Sequence, residues 1–468
     1  MSKLTLRAAA VLVALATSGA SLLVSTPTAS AATTVEAAAA AFKLESYSVV
    51  ANLPGSGDIT SALKRAVSVP GTSHQANVVH LTGSVSVASI IHPANNVYIV
   101  AEPGTKVTWR GSDGYLLRFS NVTGGVYGGT WYGAGRSTTS LIGMSAATVQ
   151  LTGLEVSNAG KYGIVAYESS WLTLNNVVTK SNKVDGVHLE GSMLTASGLR
   201  ATDNRRNGVQ LSSGSDGRIT NSVLDSNGQG VSGSTDHKTG HGLGVASATA
   251  FVSGTTMSRN KVCGASLTGS ANVEIRGNSH LDNNGRHGLG TDDGVTATVA
   301  DSSLNHNGYN GALASGKGTT VVLQHVTIDW AKKMAVSVPS DGTARITDSI
   351  IKRGQKYDVS VSARGNLFLL GGNTISASRS HGITVSGKGS ITISGANNLV
   401  TGSRRDGLRI TGSGSTGRIE SPASFVSNHD SGVVVVSKAK LWMVPTCYFS
   451  GNHKTVEKRS GGKMYTIA

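Results

Sequence analysis

The chain has 468 residues, a formal net charge of +15, 60 glycines, 5% aromatic residues and two cysteines. Two cysteines exclude a disulfide-stabilised scaffold, and the regular recurrence of Val, Ile and Leu excludes a disordered low-complexity chain. The length leaves two possibilities, several globular domains or one long repeat protein.

Residues 1–31 have the features of a secretory signal peptide. Lys3 and Arg7 supply a positive region, residues 8–24 are largely apolar, and the small residues 29–31 offer a cleavage site. No later segment is apolar enough to span a membrane. The sequence therefore predicts a secreted, extracellular protein, with an Ala-rich linker over residues 32–44.

A glycine followed by alternating apolar residues recurs along the chain. The first series is YGIVAY at Gly163, DGVHLE at Gly186, NGVQLS at Gly208, HGLGVA at Gly242, CGASLT at Gly264, HGLGTD at Gly288 and NGALAS at Gly311. The steps are 22 to 24 residues, apart from one step of 34 before Gly242, and steps of 25 join Gly382, Gly407 and Gly432. Such a period predicts a solenoid.

Each repeat carries two or three short alternating runs in which Val, Ile, Thr, Ser and Gly dominate. This composition differs from leucine-rich repeats and favours three short strands per coil, which is a parallel β-helix. Asn182, Asn204, Asn260 and Asn284 precede the turns, where they suit tight bends and side-chain ladders. Cys263 and Cys447 lie seven to eight coils apart, which is roughly 35 Å at about 4.8 Å per coil and too far for a disulfide.

These repeats resemble the right-handed parallel β-helices of the pectate-lyase-like superfamily over residues 45–455. The resemblance implies an all-β, single-stranded right-handed parallel β-helix with coils of about 22–25 residues, followed by a C-terminal tail at 456–468. It also implies that GDITSALKRAV, residues 57–67, is a short helix that caps the N-terminal end.

Alternation along each strand predicts which side chains point outward. Val187 and Leu189 point inward, so His188 and Glu190 point outward. The same argument predicts an outward column of Val165, His188, Gln210, Gly244, Ser266, Gly290, Leu313 and Ser337. Between residues 186 and 292 the outward side chains are polar or very small, which suits a flat sugar ring.

The turns before the glycines are rich in basic residues. They carry Lys161, Lys183, Arg205, Arg206, Lys261, Arg286, Lys332, Lys333, Lys356, Arg379, Arg404 and Arg405. A basic stripe repeated once per coil favours a long anionic partner, and we expect an acidic polysaccharide bound by a monomer. Nucleic acid is disfavoured because stacking aromatics are few. The alternative to a binding role is that these turns need solvated residues.

The long step before Gly242 contains an insertion, GQGVSGSTDHKTGHG, which predicts a loop on the binding face. The loop carries Asp236, His237, Lys238 and His241. GHGLGVAS resembles the Gly-His-Gly motif of the polygalacturonase family, in which Asp185 and His241 match motif residues. Asn207 stands where that family has paired acids, so hydrolysis would need Asp185 with Asp236 and is the alternative.

Elimination or epimerisation of a uronate polymer fits the residue types better, and β-elimination is the predicted reaction. Proton abstraction next to a carboxylate needs a base and a cation to stabilise the developing charge. The candidate catalytic residues are Lys238, His241, Asp185, His188 and Asp236. The candidate substrate-binding residues are Lys183, Arg205, Arg206, Glu190, Gln210, Lys261, Arg286 and His287. A non-catalytic binder of anionic glycan stays open.

No cofactor is required by these residues, although some relatives of the fold use calcium. Asp292 and Asp293, with Asp282 nearby, are oxygen ligands of the type that Ca²⁺ takes. The sequence thus offers Asp292 and Asp293 as candidate metal ligands, against the alternative that GTDDG is only a turn.

Overall fold

The computed structural model describes residues 34–53, 55–112, 114–135, 139–229 and 239–467. Within these ranges the chain winds into about 17 turns of parallel β-structure, with two short helices. Helix α1 spans Thr34–Phe42 and helix α2 spans Thr60–Val67. The prediction of an all-β right-handed parallel β-helix is confirmed.

One strand of most coils lies on a sheet that we call the cleft sheet. Among the described residues its strands are Tyr115–Ser120, Ser140–Ser145, Ile164–Tyr167, Val187–Glu190, Val209–Ser212, Leu243–Ala246, Ala265–Thr268, Leu289–Thr291, Ala312–Leu313, Met334–Val338, Tyr357–Val361, Ile383–Val385, Leu408–Thr411, Ser431–Val436 and Lys454–Arg459. Every pairing is parallel and joins consecutive coils.

A second sheet, the back sheet, runs the whole length of the described coils. Its strands are Tyr47–Leu53, Ala76–Leu81, Val97–Ala101, Thr123–Tyr127, Thr148–Thr152, Trp171–Asn175, Met193–Ser197, Asp216–Thr220, Thr249–Ser253, Asn272–Arg276, Thr296–Ala300, Thr320–Gln324, Thr343–Thr347, Asn366–Leu369, Ser390–Ile393, Thr416–Ile419, Lys440–Met443 and Lys463–Thr466.

The third face consists of two shorter sheets. The first contains Ser56–Asp58, Ser84–Val87, Lys106–Trp109, Thr130–Tyr132, Glu155–Ser157, Val178–Lys180, Arg200–Thr202 and Val223–Asp225. The second contains Thr327–Asp329, Ile350–Lys352, Thr374–Ser376, Asn398–Thr401, Ala423–Val426 and Tyr448–Ser450. Isolated bridges through Thr256, His280 and Ser303 connect the two.

Glycine and asparagine columns hold the coils in phase. The asparagine prediction is confirmed: Asn182 Nδ2 donates to Asn204 Oδ1 at 2.9 Å, and Asn204 Nδ2 donates to Asn227 Oδ1 at 3.0 Å. The same contact continues through Asn260, Asn284 and Asn307, and all six side chains are buried. Buried amides that satisfy one another in this way make a shift of register costly.

The interior is a single apolar core along the axis. Inward side chains of all three faces are buried, and the largest ones, Trp109, Phe119, Trp131 and Phe425, lie toward the two ends of the solenoid. The predicted capping helix is confirmed as α2, whose Leu63 and Val67 are fully buried in this core.

The predicted Ala-rich linker at 32–44 is wrong for residues 34–42, which form α1. Its Ala38, Ala39 and Phe42 are buried, and the ring of Phe42 lies 4.8 Å from that of Tyr98 on the back sheet. Alanine has the highest helix propensity. A helix this short is stable when one side of it packs on an apolar surface.

The predicted C-terminal tail at 456–468 is also wrong, because another coil occupies these residues. Lys454–Arg459 pairs with Ser431–Val436, and Lys463–Thr466 pairs with Lys440–Met443. Lys458 and Lys463 are exposed residues of this edge coil, where charge discourages further strand pairing.

Three other predictions concern the chain as a whole. Both cysteines are free thiols, as expected from their separation. The predicted signal peptide lies outside the described residues. No helix among the described residues is long and apolar enough to cross a membrane.

Candidate active site

The outward column of the cleft sheet is in the predicted register. Successive pairings join Val165, His188, Gln210, Gly244, Ser266, Gly290, Leu313 and Ser337. The same column extends to Arg118 and Gly143 on one side and to Ser360, Thr384 and Arg409 on the other. The register is therefore confirmed for every position that the alternation argument named, although Val165 and Ser337 are buried.

A cavity of about 490 Å³ lies on this sheet and is lined by Gln210, His241, Cys263, Arg286, His287 and Asp292 among others. Gly244 and Gly290 stand in the outward column here, and the side chain of Gln210 lies over Gly244, where a Cβ would be 2.2 Å from its Oε1. A Cβ on Gly290 would lie 3.2 Å from the sulfur of Cys263. The missing side chain at Gly290 thus leaves a depression beside Cys263 that a sugar ring can enter.

Asp185 and His188 form a hydrogen-bonded pair beside this cavity. His188 Nδ1 lies 2.9 Å from Asp185 Oδ2, and the aspartate side chain is only 5% exposed. The second oxygen of Asp185 accepts the backbone N–H of Asn207 at 2.9 Å. Because the carboxylate accepts from Nδ1–H, the neutral imidazole carries its lone pair on Nε2, the nitrogen suited to act as a base.

Two tyrosines complete the surroundings of His188. The ring of Tyr162 stacks on the imidazole with centroids 4.4 Å apart, and the ring of Tyr167 lies 6.5 Å away. Burial, helped by the charge of Asp185, raises the pKa of Tyr162. Burial likewise raises the pKa of Tyr167 above its usual range, so this hydroxyl keeps its proton.

Sequence reasoning assigned no role to Tyr162 or Tyr167. The signal for both was present, because Tyr162 lies 23 residues before Asp185 and occupies the same position before its anchor glycine. Tyr167 lies one coil before Glu190. The period that grouped the glycines would have grouped these side chains with His188.

The residue before several anchor glycines uses its side chain to contact the next coil. Asn207 Oδ1 accepts the N–H groups of Gly240 and His241, both at 3.0 Å. His241 Nδ1 accepts the N–H of Cys263 at 3.3 Å. His241 is only 2% exposed. Because its Nδ1 accepts this backbone hydrogen bond, that nitrogen already has a structural role. Its catalytic role stays a prediction, and the geometry favours His188 as the base.

The basic turn residues stack along one edge of the cleft sheet. Backbone hydrogen bonds connect equivalent turn positions from coil to coil, such as Val184 N–H to Lys161 O at 2.9 Å and Arg206 N–H to Val184 O at 3.0 Å. Lys356 N–H to Lys333 O, also 2.9 Å, repeats the contact further along. The stripe is thus a geometric feature, while its role in binding stays a prediction.

Among the described residues, several cations of this edge lack the carboxylate partner that some cations on the third face have. On the third face, each of Lys180, Arg259 and Arg353 forms an ion pair with a carboxylate. In the part of the chain that the structure describes, Lys161, Lys183, Arg206, Lys261 and Arg286 form no ion pair with a carboxylate. Uncompensated positive charge along one edge attracts an anionic chain.

Three of these cations still have neighbours. Lys183 Nζ donates to the carbonyl oxygen of Gly135 at 2.5 Å, which connects this turn to a segment two coils earlier. Lys161 Nζ lies 5.0 Å from the ring of Tyr162, and Arg286 lies 5.8 Å from the ring of Tyr309. Aromatic rings therefore lie next to two of the cations beside the cleft.

The remaining predicted binding residues are distributed along the same face. Glu190 is exposed next to His188, and Gln210 Oε1 accepts from Asn207 Nδ2 at 2.9 Å. His287 is buried under Tyr309, with ring centroids 5.4 Å apart. Arg205 and Lys261 are exposed on the turns. Asp236 and Lys238, predicted as catalytic, lie outside the described residues, as does His237.

The predicted calcium ligands are occupied by other contacts. Asp293 Oδ1 accepts the N–H of Lys317 at 2.8 Å, and Asp292 Oδ1 accepts the N–H of Asp293 at 3.0 Å. Asp282 accepts hydrogen bonds from the Ser303 hydroxyl and from the backbone N–H of Asn305. Among the described residues no group of three or more His, Cys, Asp or Glu side chains is placed to hold a metal ion. Calcium binding is left as a prediction from the sequence.

Comparison with known proteins agrees with this architecture. Residues 140–328 match the family model described as "Right handed beta helix region". The chain is a right-handed parallel β-helix. A search of curated proteins found no significant sequence match.

Solved structures with this fold include enzymes and a phage protein. The A-module of a mannuronan C-5 epimerase from Azotobacter vinelandii is 13% identical, with 89% of this β-helix chain and 99% of that chain covered and a TM-score of 0.40. The catalytic domain of an α-1,3-glucanase is 12% identical, with 75% and 65% covered and a TM-score of 0.35. The Dettilon tailspike protein is 14% identical, with 86% and 65% covered and a TM-score of 0.31. At these identities the likeness is one of fold alone.

Proposed function

We propose that this β-helix protein acts outside the cell on an anionic, uronate-containing polysaccharide and cleaves it by β-elimination. The observation that carries the proposal is the hydrogen bond between His188 and the buried Asp185, which orients an imidazole in the outward column of the cleft sheet. A buried carboxylate that fixes the tautomer of a partly exposed histidine is a common arrangement for a general base.

In the proposed reaction His188 Nε2 removes the proton from the sugar carbon next to the carboxylate. The electron pair left on that carbon forms a double bond to its neighbour as the glycosidic C–O bond breaks. Tyr167 donates its proton to the departing oxygen, since its raised pKa keeps the hydroxyl protonated. Solvent then returns the proton from His188 to Tyr167.

Charge stabilisation is assigned to the cations of the adjacent turns. Arg206, whose positive charge acts on Tyr162, and Lys161 lie on the edge next to His188. A cation close to the substrate carboxylate stabilises the negative charge that develops as the proton leaves. The rest of the basic stripe would bind the carboxylates of neighbouring sugars.

A non-catalytic glycan binder is the alternative with specific support. Asn207, His241 and Asp406 all hold the next coil through side-chain contacts, and Asp185 makes the equivalent contact to Asn207. That shared structural role favours a non-catalytic glycan binder. Hydrolysis is weaker, because Asn207 replaces one carboxyl and the candidate second acid, Asp236, lies outside the described residues.

The test uses pectate and alginate as substrates, with ultraviolet absorbance to detect unsaturated products. We expect His188→Gln to lower turnover by about 10²–10⁴-fold while the affinity for the polymer stays unchanged. His280→Gln is the matched control, because His280 also lies near an aspartate, Asp282, but on the third face.

Other outcomes separate the alternatives. Deuterium incorporation from heavy water without chain cleavage would indicate epimerisation by the same base. New reducing ends without ultraviolet absorbance would indicate hydrolysis. Binding without any product, in the presence or absence of a chelator, would leave the protein as a glycan binder and refute the catalytic proposal.

A further inference from the structure

The outward column of the cleft sheet ends in an arginine far from His188. Arg409 follows Ser337, Ser360 and Thr384 in register, nine coils beyond His188. At about 4.8 Å per coil the two side chains are about 43 Å apart. The interval between them contains glycines, Gln210, Leu313 and the residues Ser266, Ser337, Ser360 and Thr384, of which Ser337 and Thr384 are buried, and no charged residue of the column.

Arg409 is held in place by a buried carboxylate, as His188 is. Its Nη1 lies 3.3 Å from Asp406 Oδ2, and the exposed fractions of the two side chains are 28% and 4%. His381 Nδ1 lies 3.1 Å from the same oxygen, and the second oxygen of Asp406 accepts the N–H of Ser431 at 3.2 Å. DGVHLEG and DGLRITG thus build the same local arrangement, with an aspartate before the glycine and an outward group three residues later.

The chemistry of the outward group differs between the two sites. Imidazole can take a proton, whereas guanidinium stays charged and offers five N–H donors in a planar fork. In the described part of the chain one of those donors is bonded, to Asp406. The other donors remain available for a carboxylate, which an arginine fork binds well.

The surroundings indicate where a bound anionic chain would stop. Beyond Arg409 the column continues with the buried Val434 and then with Glu457. Hydrogen bonds from Arg459 and Lys454 lower the pKa of Glu457 to about 2, so its charge is negative over the whole ordinary pH range. Glu457 is ion-paired with Lys454 and Arg459 and its side chain has no N–H or O–H donor for a polyanion, so Arg409 is the last outward group of this column that can bind a carboxylate.

We propose that Arg409, oriented by Asp406, is a distal anchor that binds a carboxylate of the same anionic polysaccharide about nine coils from His188. This inference rests on the proposed function for the class of polymer. The polymer lies along the cleft sheet parallel to the solenoid axis, flanked by the basic turns. Arg409 is a binding residue only, and it sets the length of chain that is bound with full affinity.

The test measures the affinity of size-defined oligogalacturonates and oligomannuronates, from tetramers to tetradecamers, by titration calorimetry. We expect the wild-type affinity to rise with length and to gain a further step, roughly tenfold, once the oligomer spans the interval from His188 to Arg409. Arg409→Gln should remove that step and leave the tetramer affinity unchanged. Arg345→Gln, which alters an exposed arginine over Phe368 on the back sheet, is the matched control.

A second variant controls for misfolding, because Arg409→Gln removes one hydrogen-bond partner of the buried Asp406. Asp406→Asn combined with Arg409→Gln removes both charges and keeps an oxygen for the N–H of Ser431, and it should lose the same step. The anchor is refuted if either folded variant binds the long oligomers as the wild type does, or if the wild type shows no step.

The outcome for the anchor is separable from that for the proposed reaction. A length step that depends on Arg409, without any turnover, supports the anchor and refutes elimination. Turnover that depends on His188, with a length profile unchanged by Arg409→Gln, supports elimination and refutes the anchor. Failure of every oligomer to bind refutes both.

Discussion

A methyl group on Gly186 would overlap the side chain of Asn204. A Cβ at this glycine would lie 2.7 Å from Asn204 Nδ2, 2.5 Å from Thr179 Oγ1 and 2.7 Å from the carbonyl oxygen of Gly208. The anchor glycines and the asparagine ladder therefore require one another. The glycine is needed for space at this position, and the asparagine uses that space to join successive coils.

Gly186→Ala should accordingly destabilise the protein. We expect the free energy of unfolding to fall by about 1–3 kcal/mol, because well-packed neighbours must move. Denaturant unfolding measures the change. The structural explanation also predicts that Gly186→Ala and Asn204→Ala are not additive, since the second change removes one of the overlapping atoms. Strictly additive losses would contradict the direct contact.

Asn204→Ala tests the ladder by itself. The amide of Asn204 donates to Thr179 O and Asn227 Oδ1 and accepts from both the backbone and the side chain of Asn182. Its loss leaves several buried polar groups without partners, so we expect a loss of about 3 kcal/mol or more in the free energy of unfolding. Asn272→Ala, at an exposed strand position, is the control and should change stability by at most about 0.5 kcal/mol.

Asp358 should make the protein less stable as the pH rises. Its side chain is fully buried, its Oδ1 accepts the N–H of Gly354 at 2.7 Å, and burial raises its pKa well above 3.8. Above that pH the unfolded chain has lost the proton that the folded chain retains, so folding is progressively disfavoured up to the folded pKa. Asp358→Asn cannot ionise and should gain stability relative to the wild type as the pH rises from about 4 to about 8.

Asp341 provides a control of opposite sign. A hydrogen bond from Arg364 lowers the pKa of Asp341 in the folded state, so the pair stabilises the protein above the unfolded pKa and ceases to do so as the pH falls. Asp341→Asn should therefore lose stability at neutral pH, with a difference that fades in acid. Thermal unfolding of both variants and the wild type across this pH range measures these differences. If the stability differences of Asp358→Asn and Asp341→Asn from the wild type had the same sign at neutral pH, the assignment would be refuted.

Tyr167→Phe separates proton donation from binding. If Tyr167 protonates the leaving oxygen, we expect turnover of the polyuronate to fall by about 10²-fold or more. The dissociation constant of an oligomer should stay the same, because the ring is retained. Tyr448→Phe is the control, since Tyr448 is 58% exposed on the third face. Equal turnover of wild type and Tyr167→Phe would exclude this residue as the acid.

Much of the fold followed from the period of the sequence. Once Gly163, Gly186 and Gly208 are aligned, alternation places His188 and Gln210 outward, and both are found there. This works because a side chain in a strand points to one face or the other by position alone. The helix at Thr34–Phe42 and the coil at Lys454–Thr466 were missed because they lack the repeat and depend on the surface against which they pack.

The candidate site was predictable only as a set of residues on one face. Asp185, His188 and the basic turns were named from the sequence, and the column brings them together. Which polar side chain contacts which other one was not predictable. His241 and Asp185 look alike in the motif, yet His241 is used in holding Cys263 N–H while Asp185 also orients His188.

The sequence by itself determined the solenoid, its phase and the sign of the charge along its turns, because these depend on residue spacing and on short-range alternation. The tertiary structure alone decided the partners of His188, the burial of His241 and the presence of Arg409 at the far end of the same column with its supporting carboxylate. Those relationships join residues from different coils, and their geometry depends on rotamers and burial that no local pattern specifies.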